Sequence, residues 1–375
     1  MTQDWIKEAA KQIQEKLSHV AKRNVHKVPY TTKNGVFDDW TNNITWWTNG
    51  FWGGMMWQLY HVTKDKLYQE IAKELEEKLD RNLMDPEGMD HDSGFKWLLT
   101  AVANYRETGN EESYRRALLA ACNMAGRFNP AGNYIRAWND WGNKEKRGEN
   151  AGVAIIDCMM NLPLLYWASE QTKDPRFYHI AVRHADTVIE HFLRDDGSVI
   201  HIGEFDPYTG EFLRSVGGQG YAHGSSWTRG QAWALYGFTL SYLHTKKEKY
   251  LECAERIANY FMKNIPESGL IPVDFCQPRE CVWEDSTAAA IASCGLIELA
   301  KAIGTKKESP YYAAALKMLY ALYEKRCDWS SETDAIIQKC TAAYHDKEHE
   351  FTIIYGDYYF MEAIWKLTEQ ELFLW

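Results

Sequence analysis

The stretch "QTKDPRFYHIAVRHA", residues 171–185, decides the fold. A polar turn on Thr172, Lys173 and Asp174 leads into a proline and an aromatic residue. Apolar residues then recur at helical spacing: Ile180, Val182, Ala185, Val188 and Ile189. The same pattern returns in "VTKDKLYQEIAKEL" (62–75), "ETGNEESYRRALLAA" (107–121), "HTKKEKYLECAERIA" (244–258) and "GTKKESPYYAAALKML" (304–319). The helix in front of each turn is apolar, as in "TNGFWGGMMWQLYHV" (48–62) and "SCGLIELAKAI" (293–303). With the amphipathic start "MTQDWIKEAAKQIQEKL", these make about six helical hairpins. Their spacing is too irregular for an open solenoid, and a ring would bury one face of every helix toward a common axis. The expected fold is therefore all-α: a single-domain (α/α)6 barrel over residues 1–375, its long connections gathered into a pocket at one end. Strand signals are sparse. "DDGSVIHIGEFDPYTGEF" (195–212) reads as a small β-hairpin in a loop.

Composition narrows the partners. Of the 375 residues, 52 are Asp or Glu and 42 are Lys or Arg, a net charge of -10. Nucleic acid and anionic membranes would be repelled, so neither is expected as a partner. A small anionic ligand in a closed pocket is not excluded, since a few local cations dominate there. The eight cysteines form no CxxC pair and read as reduced thiols. No apolar signal core or bilayer-length run is present, and the expected location is cytoplasmic. Sixteen tryptophans are unusual. Those in Gly- and Asn-containing stretches (Trp46, Trp47, Trp52, Trp57, Trp138, Trp141, Trp227, Trp233) offer flat faces for sugar rings, with core filling as the plainer alternative.

Several carboxylates sit in unusual company. In "GMDHDSGFKWLL" (88–99), Asp90, His91 and Asp92 precede a helix start, where Asp92 is either a functional carboxylate or an N-cap. In "NAGVAIIDCMMNLPLLYWA" (150–168), Asp157 is expected in an otherwise apolar helix. Burying it raises its pKa, which suits a proton donor near neutral pH; a structural tie is the alternative. Asn161, one turn on, is placed to share its face. Asp285, in "VWEDSTAAAIASCGL" (282–296), reads as an N-cap. Arg229 lies among aromatics in "HGSSWTRGQAWAL" (223–235), either as a pin between helices or as a holder of something anionic. No zinc spacing, phosphate loop or nucleophile elbow is found, so neither metal nor cofactor is expected.

Six segments in order, "DWTNNITWWTNGFWGG", "MDHDSGF", "IIDCMMNLPLLYWASEQTKDPRF", "GSSWTRGQAWALYGF", "EDSTAAAIASCGLIELA" and "YGDYYFMEA", resemble the unsaturated glucuronyl hydrolases, glycoside hydrolases of family 88. The likeness runs from about residue 36 to 370. WTRGQAW is shared with the related unsaturated rhamnogalacturonyl hydrolases, whereas DHDxGF with IIDCxxNLPLL favours the glucuronyl branch. The resemblance implies an (α/α)6 barrel. It also implies an oligosaccharide substrate, cut by a polysaccharide lyase and bearing a 4,5-unsaturated uronic acid, with water as co-substrate. By position Asp157 would protonate C4 of the vinyl ether and then help water add at C5. Asp92 would be the second essential carboxylate, assisted by His91. Trp47, Trp138 and Trp233 would wall the sugar subsite, and Gln219, Arg229 and His201 would reach its polar edge. Trp46 and Asn49 stand where aspartates are expected, Met89 and Asp90 where Asp and His are, and His223 where an acidic residue can occur. Lys347 is a solvated loop lysine or a sulfate contact. Alternative functions are a rhamnogalacturonyl hydrolase, a sugar epimerase of the same barrel class and a non-catalytic glycan-binding barrel.

Overall fold

The computed structural model describes residues 4–140, 148–304 and 309–375. Its helices in chain order are α1 (Asp4–Arg23), α2 (Phe51–Thr63), α3 (Lys66–Lys78), the single turn α4 (Asp80–Leu83), α5 (Ser93–Trp97), α6 (Ala103–Thr108), α7 (Glu111–Gly126), α8 (Leu162–Thr172), α9 (Pro175–His191), α10 (Thr228–Thr245), α11 (Glu248–Lys263), α12 (Ser286–Ala302), α13 (Pro310–Lys325) and α14 (Ile354–Thr368). A π-helical stretch, Leu98–Val102, joins α5 to α6 as one inner rod. There the Thr100 hydroxyl donates to the Lys96 carbonyl. The inner helices α2, α5–α6, α8, α10, α12 and α14 contact one another in sequence, and α14 returns to α2, closing the ring. The outer helices α3, α7, α9, α11 and α13 each pack behind an inner one, and α1 packs on α14. This is the (α/α)6 barrel.

The two kinds of helix explain the two sequence patterns. An inner helix is enclosed on all sides, so in α12 every residue from Ser286 to Ala300 is buried. An outer helix buries one stripe; in α9 it includes Phe177, Ala181, Ala185 and Val188. The recurrent threonine is the hinge between them. Thr63, Thr172 and Thr245 each donate their hydroxyl to the carbonyl four residues back, at 2.7 Å. Each also accepts the N–H two residues on, at 3.2 Å. Lys64, Lys173 and Lys246 then take the left-handed conformation that ends the inner helix. Asp65 and Asp174 cap the outer helix that follows. In the last repeat Thr305 lies outside the described residues, while its outer helix α13 is capped by Ser309.

These inner-to-outer turns are two residues long, whereas the outer-to-inner connections are long and meet at the other end of the barrel. They carry short ladders: β1 (Thr32–Lys33) with β2 (Val36–Phe37), and β3 (Phe128–Asn129) with β4 (Tyr134–Ile135). The expected hairpin is β6 (Ile202–Phe205) with β7 (Phe212–Val216). A third strand, β5 (Val153–Ile155), adds to β6 in register Ile155↔Ile202. This corrects one expectation: Asp157 is not in an α-helix. The β-branched residues before it extend against β6, and Asp157 falls in a 3₁₀ turn, Ile156–Met160. Helix α8 starts only at Leu162, with Pro163 in its first turn. At the core, the Gln58 amide brackets Leu372 by both its donor and acceptor. That docks the C-terminal segment so that Trp375 stacks on Tyr359. No helix among the described residues is long and apolar enough to cross a membrane.

Candidate active site

The connections ahead of α2, α5, α8 and α10 together enclose a cavity of about 500 Å³, a size that suits one or two sugar rings. Trp46, Trp47, Asp90, His91, Asp92, Trp138, Asn139, Asp157, His201, Gln219 and Arg229 all line it. Segments separated by more than a hundred residues thus meet where inner helices begin.

Asp157 reaches the cavity from the 3₁₀ turn, its side chain 17% exposed. Burial pushes its carboxyl up to about 7, against the pull of Arg229 and its own backbone N–H. Its Oδ1 has no hydrogen-bond partner among the described residues. The His201 Nε2 lies 3.9 Å from that oxygen. The Gln219 N–H donates to His201 Nδ1 at 3.1 Å, while the Gly217 carbonyl lies 3.3 Å from the same nitrogen. An amide cannot give up its proton, so Nδ1 accepts and the imidazole hydrogen sits on Nε2, facing Asp157. Burial holds His201 down at about 3, so it is neutral at physiological pH.

Asp92 comes from the neighbouring hairpin. It stands at the cap position of α5, yet its carboxylate makes no cap bond. The Asn161 Oδ1 performs that task, accepting the Phe95 N–H at 2.9 Å. The N-cap alternative for Asp92 therefore fails, and its carboxylate is left to the cavity. Burial and then the charges of Asp90 and Asp157 raise its pKa well above the ordinary range, against Lys96 and Asn161. His91 Nε2 lies 3.4 Å from Asp92 Oδ2, with burial lowering this imidazole to about 4. Asp285 is the N-cap expected, accepting the Thr287 N–H.

Arg229 combines both of its sequence-level roles. It lines the cavity and stacks over Trp227 at 4.6 Å. It is also 1% exposed and bonded through Nη1 to Asp285 at 2.7 Å and to the Thr341 carbonyl at 2.7 Å. Its Nη2 donates to the Ala342 carbonyl. Much of its donor capacity is thus spent on the protein, and its charge is matched by Asp285. Gln219 is similarly held, donating to Ala342 at 2.9 Å.

The tryptophans divide. Trp46, Trp47 and Trp138 line the cavity. Trp52, Trp57, Trp227 and Trp233 are buried in the core, and Trp141 lies outside the described residues. Trp233, expected on the subsite wall, lies inside α10, fully buried and outside the cavity lining, with its ring 5.1 Å from Phe95 and 5.5 Å from Tyr359. Its nearness in sequence to a glycine-rich loop suggested a loop tryptophan, but it is more than a turn into the helix. Trp138→Ala is therefore expected to raise KM about tenfold with little change in melting, since a stacking face is worth ~1 kcal/mol or slightly more. Trp233→Ala should instead destabilise by roughly 3–5 kcal/mol. Thermal melts and KM values of the two variants check this. Lys347 is exposed and outside the cavity lining. Asn49, one of the departures, is buried and donates to the Asn43 carbonyl. Asn139 was not legible as a site residue. It lines the cavity and ties the Glu87 and Met89 carbonyls, and no local motif marks it.

Residues 5–374 match the model of Glycosyl Hydrolase Family 88, and the chain belongs to that family. It is a glycoside hydrolase of the unsaturated glucuronyl hydrolase type. It is 37% identical over 341 residues to an unsaturated glucuronyl hydrolase of Bacillus sp. (strain GL1), covering 87% of each chain. It is 33% identical to an unsaturated chondroitin disaccharide hydrolase of Streptococcus pneumoniae, over 85% of this chain and 81% of the relative. The crystal structure of an unsaturated glucuronyl hydrolase from Streptococcus agalactiae superposes with a TM-score of 0.90 at 30% identity, over 100% of this chain and 94% of the other.

Proposed function

We propose that the cavity removes a non-reducing-end 4,5-unsaturated glucuronic acid from lyase-generated glycosaminoglycan oligosaccharides by hydrating its double bond. The observation that carries the mechanism is Asp157: a cavity carboxyl that burial holds at about 7, with one oxygen unclaimed by the protein. Protonated Asp157 delivers its proton to C4, leaving positive charge at C5 shared with the ring oxygen. The carboxylate so formed takes a proton from water as the water oxygen bonds to C5. The hemiketal then opens: the C5–ring oxygen bond breaks, C5 becomes a ketone, and the ring oxygen stays on C1 as a hemiacetal hydroxyl. Collapse at C1 expels the neighbouring sugar. One water is consumed, and Asp157 ends as it began, protonated.

Asp92, with His91 beside it, orients the ring hydroxyls; Trp47 and Trp138 flank the ring; Gln219, His201 and Arg229 line its polar edge. The carboxylates in the wall also explain why Asp157 must hold a proton. An ionised Asp157 would add to Asp90 and Asp92 against an anionic sugar, with Arg229, the arginine lining the cavity among the described residues, already paired. Turnover is therefore expected to fall as pH rises through about 7. Bound uronate carboxylate favours the protonated form further, so the alkaline limb of kcat should lie above that of kcat/KM. Coincident limbs, or activity rising through pH 8, would exclude Asp157 as the proton donor. A pH–rate series on an unsaturated chondroitin disaccharide makes the comparison.

The same reading treats residues 1–375 as one folding unit, supported by the contact of α14 with α2 that closes the ring. It places the protein in the cytoplasm, supported by eight unpaired cysteines, four of them fully enclosed or nearly so.

A further inference from the structure

The two carboxylates assigned above lie on different hairpins, and one side chain joins them. Asn161 is fully buried. Its amide nitrogen lies 3.2 Å from Asp92 Oδ1 and 3.2 Å from the Asp157 main-chain carbonyl. Its oxygen accepts the Phe95 N–H in the first turn of α5. The two hairpins press together here: a Cβ on Gly94 would come within 2.6 Å of Asn161 Cα, so only glycine permits the approach. One amide thus caps the helix behind Asp92, holds the Asp92 carboxylate and holds the turn bearing Asp157.

The bonds also differ in what they do to charge. Facing Asp92 are Asp90 and Asp157, which oppose its ionisation, and Lys96, which favours it. Neutral His91 lies at 3.4 Å, and Arg127 and Cys158 feel its field from outside. Two carboxyl groups in one desolvated cavity do not both ionise readily, so a proton is divided between them. An amide N–H bonds more strongly to an ionised carboxylate than to a protonated one, so it favours ionisation of the group it points at. It points at Asp92, whereas Asp157 Oδ1 receives no hydrogen bond among the described residues.

We infer that Asn161 is a positioning residue that ties Asp92 to the turn bearing Asp157, its amide N–H favouring the ionised form of Asp92. This rests on the assignment of Asp157 as the acid. The test is Asn161→Leu, which matches the side chain in size and removes all three bonds, with Asn161→Ser as a smaller polar variant in case the first does not fold. Activity on an unsaturated chondroitin disaccharide is followed across pH for both, beside the unaltered protein. The expected result is a kcat lowered by roughly 10²-fold, as misplaced groups typically give, with KM changed by less than about threefold. The acid limb of kcat/KM should move up by about one pH unit as Asp92 loses its donor. A folded variant with lower thermal stability but unshifted limbs and unchanged kcat would overturn the inference, since that is what a packing role alone gives. If the unaltered protein itself leaves the double bond intact, the functional reading fails instead, so the two failures are distinct.

Discussion

Asp157→Asn is expected to abolish turnover while making the protein more stable at alkaline pH. The loss should be about 10³-fold or more in kcat, since general acid catalysis is worth roughly 10²–10⁴ and the same group must also activate water. KM should change little, because the amide keeps the shape of the protonated acid. The stability effect has a definite sign. Burial raises the folded-state pKa of Asp157 from 3.8 to about 7. Between those values the folded state binds more protons than the unfolded one, so the stability Asp157 contributes is full below about pH 4 and is lost as pH rises through 7. Asparagine has no charge to bury. The variant should therefore gain on the native protein as pH goes from 5 to 8, by up to a few kcal/mol at about 1.4 kcal/mol per pH unit. Denaturant midpoints at the two pH values measure it. An equal difference at both would mean that Asp157 is not carrying the burial strain assigned to it.

Arg229→Ala should produce the largest loss of stability of any single change at the site. It would leave Asp285, which is 0% exposed, as a buried charge without its 2.7 Å partner, and would empty two carbonyl contacts. Breaking such a pair by removing one member costs roughly 3–5 kcal/mol. Arg229→Met with Asp285→Asn should recover much of this, because no uncompensated charge then remains. An arginine kept only for the substrate anion behaves otherwise: its removal raises KM and leaves the unfolding midpoint in place. Both readouts on both variants apportion the two roles. Some rise in KM is expected as well, since Arg229 does line the cavity.

The sequence made the barrel legible because its pattern is local. A threonine whose hydroxyl bonds backward four residues and forward two recurs at Thr63, Thr172 and Thr245, and enclosed and exposed helices differ in composition along their whole length. The buried aspartate was legible for a similar reason, as a charge in an apolar run. Its local conformation was not. "VAII" supports strand or helix equally, and only pairing with Ile202, some fifty residues on, decides it. The helical burial of Trp233 was not legible, because a tryptophan beside glycines looks the same in a loop or a helix. Asn161 was visible as a neighbour of Asp157, but its bonds to Asp92 and Phe95 cross between hairpins, and single-sequence spacing carries no record of them. The double role of Arg229 was hidden likewise, in Asp285, Thr341 and Ala342.

On this mechanism the cavity hydrates a C4=C5 double bond through Asp157. Its most direct test follows the ultraviolet absorbance of that bond as the protein meets unsaturated disaccharides from chondroitin, hyaluronan, heparin and rhamnogalacturonan lyase digests, with Asp157→Asn in parallel. Absorbance should be lost with at least one uronyl-hexosamine disaccharide, in step with release of the hexosamine, and the variant should leave it unchanged. Persistence of the absorbance with all four substrates, or its loss at the native rate in the variant, would contradict this mechanism.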